Sequence, residues 1–364
     1  MKILRNYLLK EFIGSLFLAL GVLTFVMLLG NLIKIAELVI NKGVDIFCVL
    51  KLFLLMIPYL LTYTLPIAAL TATLLSLGRL SSDNEIVAIK ASGINLFSLI
   101  MPLVIVGVIL SLILVIFNTQ VIPYAHYAWR KTITEVGIKT PTAALEPGVF
   151  INSFERYILF IYRIEDNKLY NVRIYEPQGE DKPTRTILAK SGEFISIPEK
   201  KIVKLKLNDG TLDEPDPQNP NHFYKLNFKT YFITLNLAQT TKGQLEKKPK
   251  DMTIEELKKE IIRLRNQGID PAPLITQIQE KIALAFSCLV FILLGSPLAI
   301  VTHRREKSIN FAIAFLVVGL YYLILIGSEA LSMQNYVNPH LAMWLANIIL
   351  GGIGTALTYR LCRM

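Results

Sequence analysis

Charge is scarce in this chain: Asp, Glu, Lys and Arg make up 18% of 364 residues, while 53% are hydrophobic and the mean hydropathy is +0.47. Such a composition excludes an ordinary soluble globular protein. Cysteine is rare too. Cys48, Cys288 and Cys362 all lie in or beside apolar stretches, so neither a disulfide framework nor zinc-ligand spacing is available. The four histidines, His126, His222, His303 and His340, are far apart in sequence and predict no shared metal site. No Gly-x-x-x-x-Gly-Lys-Ser/Thr loop, His-Glu-x-x-His or Gly-x-Ser-x-Gly elbow occurs. No catalytic residue, metal or cofactor is therefore predicted, and any energy source has to lie in another chain. The net charge of +10 is scattered between apolar segments rather than clustered, which argues against a nucleic-acid partner.

What is abundant is long apolar runs. A helix needs about 20 such residues to cross a bilayer, and six runs free of Asp, Glu, Lys and Arg qualify: Phe12–Ile33, Leu52–Gly78, Asn95–Asn118, Ile282–Thr302, Ser308–Ser328 and Leu341–Tyr359. No span carries an ionisable residue in its middle, which weighs against a proton- or ion-coupled carrier. The first run is too long for a cleaved signal and is expected to be retained. Lys2, Arg5, Lys10, Arg79, Lys90, Arg304, Arg305, Lys307, Arg360 and Arg363 all fall on one side of this arrangement. The positive-inside rule makes that side cytoplasmic. A multi-pass membrane protein follows, with both termini cytoplasmic and the large insertion on the far face; the resemblance described below makes that membrane the bacterial inner membrane and that face the periplasm.

The expected fold class is membrane α-helical, with six transmembrane helices and an inserted periplasmic β-jelly-roll domain. Residues 1–119 hold helices one to three, 120–250 the β domain, 251–281 a returning amphipathic helix and connector, and 282–364 helices four to six. Within the insertion, seven short β-type runs (Gly148–Asn152, Tyr157–Arg163, Leu169–Tyr175, Thr186–Ala189, Glu193–Ile197, Ile202–Leu207 and Phe223–Leu237) are separated by turn residues such as Asn208-Asp209-Gly210. That spacing suggests a sandwich or jelly roll. The returning helix has Ile254, Leu257, Ile261 and Leu264 on one stripe, Thr253 with Glu256 as a capping box and Gly268 as its stop.

The loop after the second span, Arg79 to Gly93, predicts a short cytoplasmic helix. Ser82 and Glu85 are spaced as a capping box, Asp83 and Lys90 complement the two helix ends, and Gly93 stops it. Ile86 and Ile89 share one face, which fits either the membrane surface or a groove on a partner. At the far end of the first span stands Lys34, with Arg130 and Lys131 beyond the third. These can snorkel to the interface or hold an anionic lipid headgroup between helices.

Together these segments resemble the paired permease subunits of the ABC transporter that extracts lipopolysaccharide from the inner membrane of Gram-negative bacteria. The resemblance is carried by Arg5-Asn6-Tyr7-Leu8-Leu9-Lys10-Glu11, by Leu77 to Ile86 ending in Ala91-Ser92-Gly93, and by Gly295-Ser296-Pro297-Leu298-Ala299, within a matching layout of spans and insertion. It implies that the second cytoplasmic loop is a coupling helix docked on a dimer of separate ABC ATPase subunits, with Arg79, Asp83, Glu85 and Ile86 as contacts. It also implies a paralogous six-span permease as partner, lipopolysaccharide as cargo with Lys34 at its phosphates, and a periplasmic jelly-roll bridge protein receiving the lipid. A second basic position of one paralogue corresponds here to Asn31. Phe150, Ile158, Phe160 and Ile174 are candidates for the acyl-chain path through the β domain. The competing expectation is a membrane-anchored periplasmic binding or assembly module without transport activity, indifferent to the residues from Arg79 to Gly93.

Overall fold

The computed structural model describes residues 2–40, 44–139, 147–154, 157–165, 168–177, 184–197, 202–215, 223–235, 240–241, 244–245, 247–301, 307–334 and 336–363. Six helices among these are long and apolar enough to cross a membrane. By contacts the chain divides into two compact units, one of residues 1–31, 55–127 and 248–364 and the other of residues 32–54 and 128–247.

Helices α1 (Lys2–Ile40), α2 (Ile46–Ser82), α4 (Leu96–Ile116), α7 (Ala272–Val301), α8 (Lys307–Met333) and α10 (Leu345–Arg363) supply the six apolar runs. Between them lie the short α3 (Glu85–Ala91), α5 (Ile122–Lys139), α6 (Ile254–Asn266) and α9 (Pro339–Ala342). In the first unit α7 is the central element, packing against α4, α8 and α10. Close approach depends on small residues, as in membrane helix pairs where packing replaces the hydrophobic effect. A Cβ at Gly354 of α10 would lie 2.9 Å from the Leu294 backbone nitrogen, and one at Gly107 of α4 would lie 3.1 Å from Ile292. Asn347 on the same helix donates to the Ala283 carbonyl at 2.8 Å. Outward-facing side chains are apolar, among them Phe17, Phe25, Phe315 and Leu323, an exposed surface suited to lipid rather than water.

Helices run further than the apolar stretches that announced them. α4 passes through a π turn, Phe117–Val121, directly into α5, so helix occupies residues that the spacing assigned to the start of the β domain. α7 likewise begins at Ala272 and takes Glu280 and Lys281 inside the helix. Charge ends an apolar run but does not end a helix, since Glu, Lys and Arg are good helix formers. The returning helix α6 has the expected Thr253–Glu256 capping box, with both reciprocal bonds formed at 2.9 and 3.3 Å. Leu257 and Ile261 pack on Leu274 and Ile278 of α7, so the apolar stripe is a core-facing one.

The second unit carries an antiparallel sheet of β1 (Phe150–Phe154), β2 (Tyr157–Glu165), β3 (Lys168–Glu176), β4 (Arg185–Ile197), β5 (Ile202–Pro215) and β6 (Phe223–Leu235). The strands follow one another in chain order, and the sheet is open at β1 and β6. Where a sandwich or jelly roll was expected, the described strands form this six-stranded meander and a separate antiparallel pair, Thr240–Thr241 with Gln244–Leu245. Two of the predicted runs merge into β4, and the predicted Asn208-Asp209-Gly210 turn is a correction: β5 runs straight through it, pairing Asn208 with Thr230 and Gly210 with Phe228. Asp209 takes a φ of 52° without leaving the strand, and Gly210 leaves room for Phe228, whose Cζ would lie 2.4 Å from an added Cβ. One face buries Leu159, Ile161, Val172, Ile174, Leu205 and Leu207. By the two-residue alternation of strands, Ile158 and Phe160 face the other way.

Candidate functional site

The segment that links α2 to α3 is built from the end of α2 forward. Leu77 and Leu80 are buried in the helical core, which holds the last turn of α2 in place. The Ser82 hydroxyl donates back to the Arg79 carbonyl at 2.9 Å, so the predicted Ser82–Glu85 capping box does not form. Asn84 makes the reversal instead, with φ 59°, and no side chain caps α3. The reason is geometric: a left-handed residue between the two helices leaves Ser82 in the turn before it, where the nearest orphan group is the carbonyl of Arg79. Gly93, with φ 73°, ends the segment as predicted.

Ile86 is 2% exposed and lies in the helical core, with Ile89 packed against that core. The shared isoleucine face thus anchors α3 to its own chain, which corrects the expectation that Ile86 is a surface contact. The outward face carries Asp83, Val87, Ala88 and Lys90.

Glu85 and Arg79 meet through a residue the spacing did not single out. Arg79 Nη2 donates to the Tyr7 hydroxyl at 2.6 Å, and that hydroxyl donates to Glu85 Oε1 at 3.2 Å. Arg79 Nε also pairs with Glu11 Oε1 at 3.1 Å, and its guanidinium carbon sits 5.7 Å from the Tyr7 ring centroid. Tyr7 and Glu11 are four apart on α1 and so share one helix face. Three elements, the start of α1, the end of α2 and the first turn of α3, are thereby joined by one polar node. The opening motif contains both Tyr7 and Glu11, and their spacing was the available signal.

A second polar cluster lies deeper in the same unit. The π turn presents Asn118 to the interior, 3% exposed, a use to which such insertions are often put. Its Oδ1 accepts from the Thr62 hydroxyl at 3.0 Å and its Nδ2 donates to the Lys281 carbonyl at 2.9 Å. Lys281 Nζ donates to the Met252 carbonyl at 2.6 Å, Gln277 Nε2 donates to Glu280 at 2.6 Å, and His126 pairs with Asp251. Of these, Thr62, Asn118, His126, Gln277, Glu280 and Lys281 border a cavity of about 60 Å³. A few waters fit there, and a lipid headgroup does not. The cluster knits α2, the π turn and α7 together.

The proposed headgroup residues belong to the other unit. Lys34 lies on the α1 backbone but its side chain falls outside the described residues. Arg130 is half-buried and Lys131 exposed on α5. Of the acyl-path candidates, Ile174 is buried in the sheet core, whereas Phe150 and Phe160 stack with centroids 4.9 Å apart. His222 and His303 lie outside the described residues.

Residues 6–360 match the family described as "Lipopolysaccharide export system permease LptF/LptG". The lipopolysaccharide export system permease protein LptF of Escherichia coli is 22% identical over 350 residues, which cover 95% of this chain and 92% of that protein. The Shigella flexneri LptF matches to the same extent, 22% over 350 residues. An uncharacterized protein of Rickettsia prowazekii is 22% identical over 261 residues, 71% of either chain. With the family matched along nearly the whole sequence and the six apolar helices and inserted sheet in place, the chain belongs to the lipopolysaccharide export permease family LptF/LptG.

Proposed function

We propose that this multi-pass inner-membrane protein is a permease subunit that extracts lipopolysaccharide from the outer leaflet of the inner membrane, driven by a separate ABC ATPase dimer and paired with a paralogous six-span subunit. The observation that carries the coupling is α3. Seven residues between two membrane helices are anchored by Ile86, present Asp83, Val87 and Lys90 outward, and hold Glu85 by the Tyr7–Arg79 node. A partner that seats on α3 moves two things at once: the core beneath Ile86, and the first turns of α1 through Tyr7 and Glu11. Glu85, an acid tied by one hydroxyl, is placed to exchange that bond for one to a basic partner residue. Lys34 supplies a phosphate contact, with Arg130 and Lys131 as further cations, and the β domain hands the lipid to a periplasmic bridge protein.

Affinity purification of the full-length chain in mild detergent, with mass spectrometry of co-purifying chains and lipids, tests this reading. A P-loop ATPase, a second six-span permease and a phosphorylated glycolipid are expected. Recovery of the chain alone, correctly folded, favours an anchored periplasmic module instead. Glu85→Ala is expected to weaken ATPase recovery, and Lys34→Glu to reduce glycolipid recovery with the protein complex intact. Unchanged glycolipid with Lys34→Glu returns that residue to snorkelling.

A further inference from the structure

Between the first turns of α1 and the first turns of α4 lies an open cleft of about 320 Å³, more than five times the volume of the polar cavity described above. Its lining is of two kinds. Lys2 and Arg5 of α1 line it with the exposed Ser98. Neither cation has a carboxylate partner among the described residues; of the acids nearest in the fold's polar node, Glu11 is engaged by Arg79 and Glu85 by Tyr7. Met101, Pro102 and Ile105 of α4 line it as an apolar wall. That wall opens onto an apolar stripe along α4, with Met101 42% exposed and Ile105 49%, continued by Val108, Ile109 and Leu112. At 1.5 Å per residue the stripe is roughly 16 Å long, the reach of much of one acyl chain.

We propose that this cleft binds one anionic phospholipid from the leaflet that surrounds the α1 N-terminus, its phosphate between Lys2 and Arg5 and an acyl chain along the α4 stripe. Two uncompensated cations select an anionic headgroup over a zwitterionic one, because each Lys or Arg near a bilayer surface favours negative lipid. The apolar wall selects a lipid over a free phosphate, which has nothing to lay on Met101 and Ile105. A bound lipid bridges α1 and α4 at the edge that also carries the Tyr7 node, and so steadies the start of α1. The site stands independently of the transport reading, since it needs only that the chain reside in a membrane.

Native mass spectrometry tests it, on the full-length protein with any chains that co-purify, given phosphatidylglycerol or phosphatidylethanolamine in turn. One phosphatidylglycerol is expected to be retained in preference to phosphatidylethanolamine. A Lys2→Gln/Arg5→Gln double variant should lower that retention roughly tenfold, a Lys2→Arg/Arg5→Lys exchange should keep it, and Arg360→Gln/Arg363→Gln, the same charge change at another helix end, should leave it unchanged. Equal retention of both lipids, an equal loss in the Arg360/Arg363 variant, or retention indifferent to Lys2 and Arg5 would each overturn the site and leave only annular lipid. Added inorganic phosphate displacing the lipid without loss of the apolar contact is not expected; binding of phosphate alone at Lys2 and Arg5 overturns the lipid assignment.

Discussion

The helical unit and the β-containing unit pair their backbones in opposite ways, and the difference decides where each is vulnerable. In the helical unit every turn of α7 or α10 satisfies its own hydrogen bonds, so what remains to be specified is how closely helices approach. Gly354 against Leu294 and Gly107 against Ile292 set that distance. In the β unit the backbone is satisfied only by the neighbouring strand, but each neighbour is next in the chain, so the register follows from one hairpin after another. Side chains there tune a ladder that already exists: Arg185 reaches Glu176 on one side at 3.2 Å and Glu214 on the other at 2.8 Å. That bond to Glu214 raises the Arg185 pKa above its ordinary value.

Substitutions can break this contrast, and the largest effect is expected in the helical unit. Gly354→Leu puts a side chain where backbone atoms of α7 lie 2.9–3.0 Å from the new Cβ; backbone cannot yield, and destabilisation of about 3 kcal/mol or more follows. A thermal melt in detergent measures it, while hydrogen exchange across β2 to β5 should stay unchanged. Faster exchange there would mean that the units are not separately stabilised. Next is Gly210→Val, which meets the Leu188 carbonyl oxygen at 2.3 Å and should cost about 1–3 kcal/mol, seen as faster exchange confined to β4, β5 and β6. Spread of that effect into α7 would sink the comparison from the other side.

Tyr7→Phe sharpens the contrast within the helical unit. It removes both bonds of the hydroxyl, to Arg79 and Glu85, at a combined cost of about 1 kcal/mol because the node is exposed. Under the proposed function, ATPase recovery should persist while lipid release per ATP falls about fivefold. Full coupling in this variant would show that α3 acts through Ile86 alone. The smallest effect belongs to Lys206 and Glu193, paired across β4 and β5 at 2.8 Å. Lys206 holds the Glu193 carboxyl below its ordinary range, so the stabilisation is present above the unfolded value and is lost as pH falls through the depressed folded one. Lys206→Met should remove well under about 1 kcal/mol from this exposed pair and flatten the acid-side stability of the sheet, as read by hydrogen exchange at falling pH.

Much of this was legible in the chain before its tertiary structure. Six apolar runs announced six long helices, Thr253 and Glu256 announced a cap that forms as written, and Gly93 and Gly268 marked helix ends where positive φ is required. The segment from Arg79 to Gly93 was visible as a short helix between two spans. Its working parts were not: Ser82 bonds backward, Ile86 turns inward, and Tyr7 stands 72 positions from the arginine it meets. The helix bounds read at Asn118 and Ile282 fell short of α5 and of the start of α7, because the edge of an apolar run marks where the hydrocarbon must end, not where the backbone ladder stops. Likewise Asp209-Gly210 carries the residue types of a turn, and only the cross-strand ring of Phe228 explains the glycine.

By itself the sequence determined the membrane class, the number of long helices and the place of the β insertion, because those depend on length and periodicity, which are local. The tertiary structure alone decided which polar groups meet: Tyr7 with Arg79 and Glu85, Asn118 with Thr62 and Lys281, Lys2 and Arg5 with the α4 cleft. Those pairings join residues distant in sequence, and their existence depends on ångström-scale approach between elements that no local pattern encodes.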